Sequence, residues 1–160
     1  MSDRTTAQQR RVWQNFLVLS ETVRRETARD LQEVSGLSGT DFTVLATLAS
    51  AEGSAMRSTE IARALDWETG RMSHHLRRME VRGLIQRCRD AEVDGRAAIV
   101  KLTDEGLAAY RRSLGPHFRS IKHWFLDGLD PERVDQIDVI LQALLDHVQH
   151  TNRTKGKEPS

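Results

Sequence analysis

The chain has 160 residues, of which 38% are hydrophobic and 29% charged, with a formal net charge of +1. This is a globular mix, enough for one domain with added helices, and a second copy would let it bury considerably more. No run approaches the ~18 apolar residues of a membrane span. Met1 to Arg11 lacks the apolar core of a signal peptide, and a lone cysteine, Cys88, makes no internal disulfide, so a cytoplasmic location is expected.

The charge is unevenly spread. Residues 1–56 carry six basic and seven acidic side chains, residues 57–101 ten and seven, and residues 102–160 eight and nine. Within that middle segment, Thr69 to Arg89 carries six arginines, Arg71, Arg77, Arg78, Arg82, Arg87 and Arg89, against a single acid, Glu80. Such a concentration suits a polyanionic partner as well as it suits a solvated arginine-rich helix.

In chain order, Val12, Phe16, Leu19, Val23, Thr27, Leu31 and Val34 recur at steps of three or four and predict a long helix, ended by Gly36. Ser38 and Asp41 have capping-box spacing and open a second helix carrying Phe42, Leu45, Leu48 and Ala49, closed by Glu52-Gly53-Ser54. Arg57 to Glu60 opens a short helix with Ile61, Ala62 and Leu65. A tight turn at Asp66-Trp67 leads to a further helix from Glu68 to Arg82, ended by Gly83. Leu84 to Arg89 and Ala97 to Leu102 read as two strands joined by a polar loop, Asp90 to Arg96, with a turn at Asp94-Gly95. Thr103 caps a long helix whose stripe is Leu107, Tyr110, Leu114, Phe118, Ile121 and Phe125. Asp130-Pro131 starts a last helix with Val134, Ile137, Leu141, Leu144, Leu145 and Val148 on one face. Thr151 to Ser160 reads as a polar, disordered tail.

The expected architecture is therefore mainly α with a small β-hairpin wing: a winged helix-turn-helix lobe over residues 38–102 and a helical dimerisation region over 8–36 and 103–150, in one domain spanning 1–160. At about 100° per residue, the helix from Glu68 to Arg82 turns Met72, Leu76 and Met79 to one side and Gly70, Ser73, His74 and Arg77 to the other, with Arg78 at the edge. The second face offers a hydroxyl, an imidazole and guanidiniums to base edges or phosphates of a major groove. The amides at Thr69 and Gly70, with Arg71 in the first turn, favour phosphate, and Gly70 lets backbone come close. In the hairpin, Arg96 is placed to enter a minor groove, Asp94 to hold it, and Arg87 and Arg89 to meet flanking phosphates. The rival reading of the same charges is an ordinary set of surface salt bridges.

Asp94-x-Arg96 followed by Val100-x-Leu102-Thr103-x-x-Gly106 resembles the wing signature of the MarR family. Leu65-x-Trp67-Glu68, Arg71-x-Ser73-His74-His75-Leu76-x-Arg78-Met79 and Arg82-Gly83-Leu84 resemble the recognition-helix region of its actinobacterial branch. Gly70 stands where serine or threonine is frequent there. The resemblance implies a sequence-specific, double-stranded-DNA-binding transcriptional regulator. It would be an obligate homodimer built from the first and last two helices, and its typical form is a repressor released by a small aromatic or anionic effector.

Other chemistry carries less. No phosphate loop, glycine-rich nucleotide turn or nucleophile elbow points to an enzyme, and no cofactor is expected beyond an effector. His147 and His150 have chelating spacing but only Asp146 nearby, so no metal is assigned; they equally complement a helix C-terminus. Cys88 between Arg87 and Arg89 is either a redox sensor or an inert thiol. Trp13, Phe16, Phe42, Tyr110, His117, Phe118 and Trp124 are either pocket-lining or plain core. The alternatives to DNA binding are a winged-helix protein-interaction module and a small-molecule or redox sensor.

Overall fold

A computed structural model describes residues 5–89 and 98–155, with Arg89, Arg153 and Lys155 as backbone only. The chain forms two compact units, Met1–Ser120 and Ile121–Ser160.

The first unit opens with α1 (Ala7–Ser35). Thr6 and Gln9 form a capping box at its start, and Gly36 ends it at φ 66°, its N–H donating to the Gln32 carbonyl. Helix α2 (Gly39–Ser50) begins on the predicted box: the Asp41 N–H donates to Ser38 Oγ at 3.1 Å and the Ser38 N–H to Asp41 Oδ2 at 2.9 Å. A 3-10 turn (Glu52–Ser54) then leads into a strand the sequence did not announce, β1 (Ala55–Arg57). It pairs antiparallel with β3 (Ala98–Leu102), Met56 opposite Val100, and β3 pairs on its other side with β2 (Ile85–Arg89), so the sheet order is β1-β3-β2. Three residues are too few to show alternation, and the partner lies more than 40 positions away, so only the folded chain defines this strand.

Between β1 and β2 lie α3 (Ser58–Ala64) and α4 (Thr69–Val81), joined by a turn through Asp66 and Trp67. Gly83 follows α4 at φ 71°, a conformation that suits glycine and turns the chain into β2. Helix α5 (Asp104–Ile121) starts at Thr103, whose hydroxyl accepts from the Gly106 N–H and donates to the Gly83 carbonyl, tying helix start to strand entry. A Cβ built on Gly106 would lie 1.9 Å from the Leu84 carbonyl oxygen, so only glycine permits this approach of α5 to the β2 entry.

The core joins α2, α3, α4 and the sheet. Val44, Leu45, Leu48, Ile61, Met72, Leu76, Met79 and Val100 are fully buried. Outside it, Val12, Trp13, Phe16, Leu17 and Leu19 leave α1 with an exposed apolar face.

The second unit holds a π-helical turn (Lys122–Leu126) and α6 (Pro131–Lys155), capped by Asp130, whose carboxylate accepts from the Arg133 N–H. Val139, Ile140, Leu144, Leu145 and Val148 are all exposed along α6. The tail expected from Thr151 is helical through residue 155. Thr151 and Thr154 donate back to the carbonyls of His147 and His150. Residues 156–160 of that expected tail lie outside the described residues.

Candidate nucleic-acid interface

Helix α4 is two-faced, and the division follows the sequence. Met72, Leu76 and Met79 are buried, whereas Thr69, Gly70, Arg71, Ser73, His74, Arg77 and Arg78 are all exposed. Burial of one stripe against α3 and the sheet fixes how far α4 is rolled, and that roll aims the polar residues at solvent. The core side holds one more residue than the sequence reading placed there. His75 is only 6% exposed and lies among α2, the α3–α4 turn and α4 itself.

The surroundings of His75 organise the base of the interface. Its ring meets the Trp67 indole edge-on, with centroids 5.7 Å apart. Nδ1 lies 3.0 Å from Arg78 Nη2, and Nε2 lies 3.0 Å from Asp41 Oδ1. The second approach is off the ring N–H axis, which makes it an electrostatic contact and not a well-formed hydrogen bond. Asp41 also accepts from Arg82 Nη1 at 2.7 Å, and Arg82 Nη2 donates to the Gly36 carbonyl at 2.7 Å. Burial alone would raise the Asp41 pKa. The His75 contact and the bonds from Arg82 and Ser38 outweigh it and hold the carboxyl far below the usual range, so it is a carboxylate throughout the physiological range. One buried acid thus ties the end of α1, the start of α2 and two turns of α4.

Two further candidate arginines have intramolecular partners. The Arg71 guanidinium lies over the Trp67 ring, 4.0 Å from its centroid, in cation–π geometry. Arg87 on β2 donates from Nε to Glu80 Oε2 at 2.8 Å and from its backbone N–H to Oε1 at 3.0 Å. That bond from Arg87 is the main reason the Glu80 carboxyl is held below its ordinary value. The Arg89 side chain, Asp94 and Arg96 lie outside the described residues. Cys88, on the same strand, is a half-buried free thiol opposite Ile99. Among the described residues, no group of His, Cys, Asp and Glu side chains has a metal-holding arrangement.

Behind this surface is a cleft of about 530 Å³. It is lined by Arg24, Thr27 and Leu31 of α1, by Phe42, Thr40 and Thr43 of α2, by Trp67, and by His117 of α5. Of the seven aromatic and histidine residues singled out in the sequence, Phe42 and His117 line it, with ring centroids 4.3 Å apart. Trp13 and Phe118 are exposed instead. Burial pushes the His117 pKa down, favouring the neutral ring. Trp67 went unrecognised as a lining residue because its place in a turn carries no periodicity, and Arg24 because it reads as surface on a helix.

Two helices joined by a tight turn, a second helix presenting a polar, basic face, and an antiparallel sheet directly after it define a winged helix-turn-helix protein. A sequence profile described as MarR family matches residues 35–97. The structure is similar to AbsC, a MarR family transcriptional regulator from Streptomyces coelicolor, with 29% identity and TM-score 0.79 over 93% of this chain and 99% of that one. It is also similar to Sco3205, a MarR family transcriptional regulator from the same organism, solved in complex with DNA, with 26% identity and TM-score 0.81 over 93% of this chain and 92% of that one. The organohalide-sensing regulator RdhR-CbdbA1625, bound to 2,4-dichlorophenol, shares the fold at 22% identity, with TM-score 0.74 over 89% of this chain and 82% of that one. No curated protein matches the chain in sequence. The MarR family profile thus covers the segment that holds the helix-turn-helix, and the fold of MarR family regulators extends over most of the chain.

Proposed function

We propose that this protein is a ligand-responsive transcriptional regulator that binds a palindromic operator as a homodimer, with α4 in the major groove and the β2–β3 hairpin at the flanking minor groove. The observation that carries this reading is the outward face of α4: Ser73, His74 and Arg77 are exposed on a helix whose opposite stripe is locked in the core. Thr69, Gly70 and Arg71 at the helix start suit a phosphate, Ser73, His74 and Arg77 suit base edges, and Arg78 lies at the rim. Arg87, Arg89, Asp94 and Arg96 complete the interface from the sheet and wing. Residues 38–102 form the DNA-binding lobe, and the helices over 8–36 and 103–150 serve dimerisation.

The exposed apolar faces of α1 and α6 support a second copy. Leaving Phe16, Leu17, Leu144 and Leu145 about half exposed is costly for a monomer and ordinary for a subunit. Two-fold symmetry then sets two recognition helices about 34 Å apart, one helical turn of DNA. The cleft between α1, α2 and α5 is the effector site in this proposal. Two aromatic walls, threonine hydroxyls and the Arg24 guanidinium suit a small aromatic anion. Such a ligand releases the operator only to the extent that it prefers one lobe spacing over another. The operator places the site of action in the cytoplasm; no described helix is long and apolar enough to cross a membrane. No catalysis is assigned.

The test is selection of a binding sequence from random duplex, followed by gel-shift titration. Arg77→Ala should cost about 1–3 kcal/mol at the selected site and relax its sequence preference. Arg96→Ala should weaken binding to all duplexes and flatten the salt dependence. Equal affinity for selected and random duplex would refute specific recognition.

A further inference from the structure

Resting on the reading of α4 as the DNA-reading helix, we infer that His75 is a positioning residue for operator binding: its buried ring accepts a hydrogen bond from Arg78 and fixes that guanidinium at the rim of the recognition face. A guanidinium has donors and no acceptor, so the bond from Arg78 Nη2 at 3.0 Å requires Nδ1 to be the unprotonated ring nitrogen. The ring proton then sits on Nε2, 3.0 Å from Asp41 Oδ1. Asp41 is itself anchored, accepting from Arg82 and from the Ser38 N–H. The Trp67 edge closes a third side of the ring. One tautomer and one ring orientation are thus selected from α2 and the turn before α4, both behind the presented face.

The consequence falls on Arg78, an exposed side chain with many rotamers of its own. A bond to a fixed acceptor removes much of that freedom before any partner arrives, so less conformational entropy is lost on binding. Nδ1 occupies only one of the five guanidinium N–H groups, which leaves others for a phosphate or base edge. His74, one residue earlier and about 100° around the helix, has the same chemistry on the outside. The two histidines have different roles because of where the roll of α4 puts them.

Full-length protein and a duplex selected from a random pool provide the test. Arg78→Ala should weaken binding about tenfold, the size of one charge-assisted contact. His75→Gln keeps a polar group facing Asp41 but offers Arg78 no acceptor, and should lose nearly as much. In the double variant the two losses should not add. His75→Asn can set its carbonyl oxygen where Nδ1 was, and should recover most of the loss seen with His75→Gln. Thermal unfolding at fixed concentration checks that each variant is folded. The positioning role is overturned if Arg78→Ala binds as the parent does, if the glutamine and asparagine variants lose equally, or if the double variant loses the product of the single losses. If His75→Gln does not fold, His75→Asn decides alone: binding as weak as that of Arg78→Ala overturns the role. Arg77→Ala separates the two levels. Loss there with none for Arg78→Ala overturns the positioning role alone, whereas no loss for either removes the DNA-reading face as well.

Discussion

Asp41→Asn exchanges a carboxylate for an amide of nearly the same shape at the point where α1, α2 and α4 meet. Asp41 is 2% exposed and accepts from the Ser38 N–H and from Arg82 Nη1, with His75 Nε2 alongside. The amide oxygen can keep the bond from Ser38, so the helix cap survives. The charge-assisted bond from Arg82 weakens, and because the Arg82 side chain is 43% exposed, water offsets part of that loss, leaving about 1 kcal/mol. His75 is shielded from water, and its Nε2–H then faces a neutral and partly donating group, a further cost of about 1–2 kcal/mol. The sum is about 2–3 kcal/mol, or a fall in melting temperature of roughly 5–10 °C for a chain of this length. Circular-dichroism melting at one fixed protein concentration is the appropriate assay, because association contributes to the apparent stability. The pH dependence gives an independent check. The folded-state pKa of Asp41 is depressed, so its contribution is fully present above the unfolded value near 3.8 and is lost as pH falls toward the folded value. The gap between parent and variant should therefore hold from neutral pH to about 5 and narrow progressively as the pH falls below about 4. A melting shift under about 2 °C at neutral pH, or a gap that does not narrow at all below about pH 4, would refute the assignment of this acid as the hub of the lobe.

Gly106→Ala places a methyl group on the Leu84 carbonyl and should cost at least about 3 kcal/mol through displacement of α5 from the β2 entry; an unfolding midpoint within error of the parent would show that the approach is not needed. Leu144→Glu puts a charge on the exposed apolar face of α6 and should shift sedimentation from dimer to monomer at micromolar concentration, with operator binding lost in parallel; a persistent dimer would place the interface elsewhere. Glu80→Gln loosens Arg87 from a half-exposed ion pair and should change stability by only about 0–1 kcal/mol, while a larger loss in a urea titration would mean the pair helps hold β2 to α4.

Much of this molecule was legible before folding because its signals are local. The Ser38–Asp41 box, Gly36, Gly83 and Thr103 mark helix ends through bonds within a few residues, and the heptad-like spacing of Met72, Leu76 and Met79 fixes which side of α4 goes inward. The outward set Ser73, His74 and Arg77 follows from that spacing alone. What the tertiary structure decided depends on partners distant in sequence. The β1 strand exists only through β3. Asp41 reads as a helix cap until Arg82, 41 residues on, arrives at its other face. His75 reads as one more polar residue beside His74 until that same acid and the Trp67 indole enclose it. The cleft gathers Arg24, Phe42, Trp67 and His117 from four separate segments. Periodicity and capping report the few bonds a residue makes to its own helix, whereas the protonation, burial and aim of a polar side chain are set by electrostatic neighbours that only the packed chain brings within 3 Å.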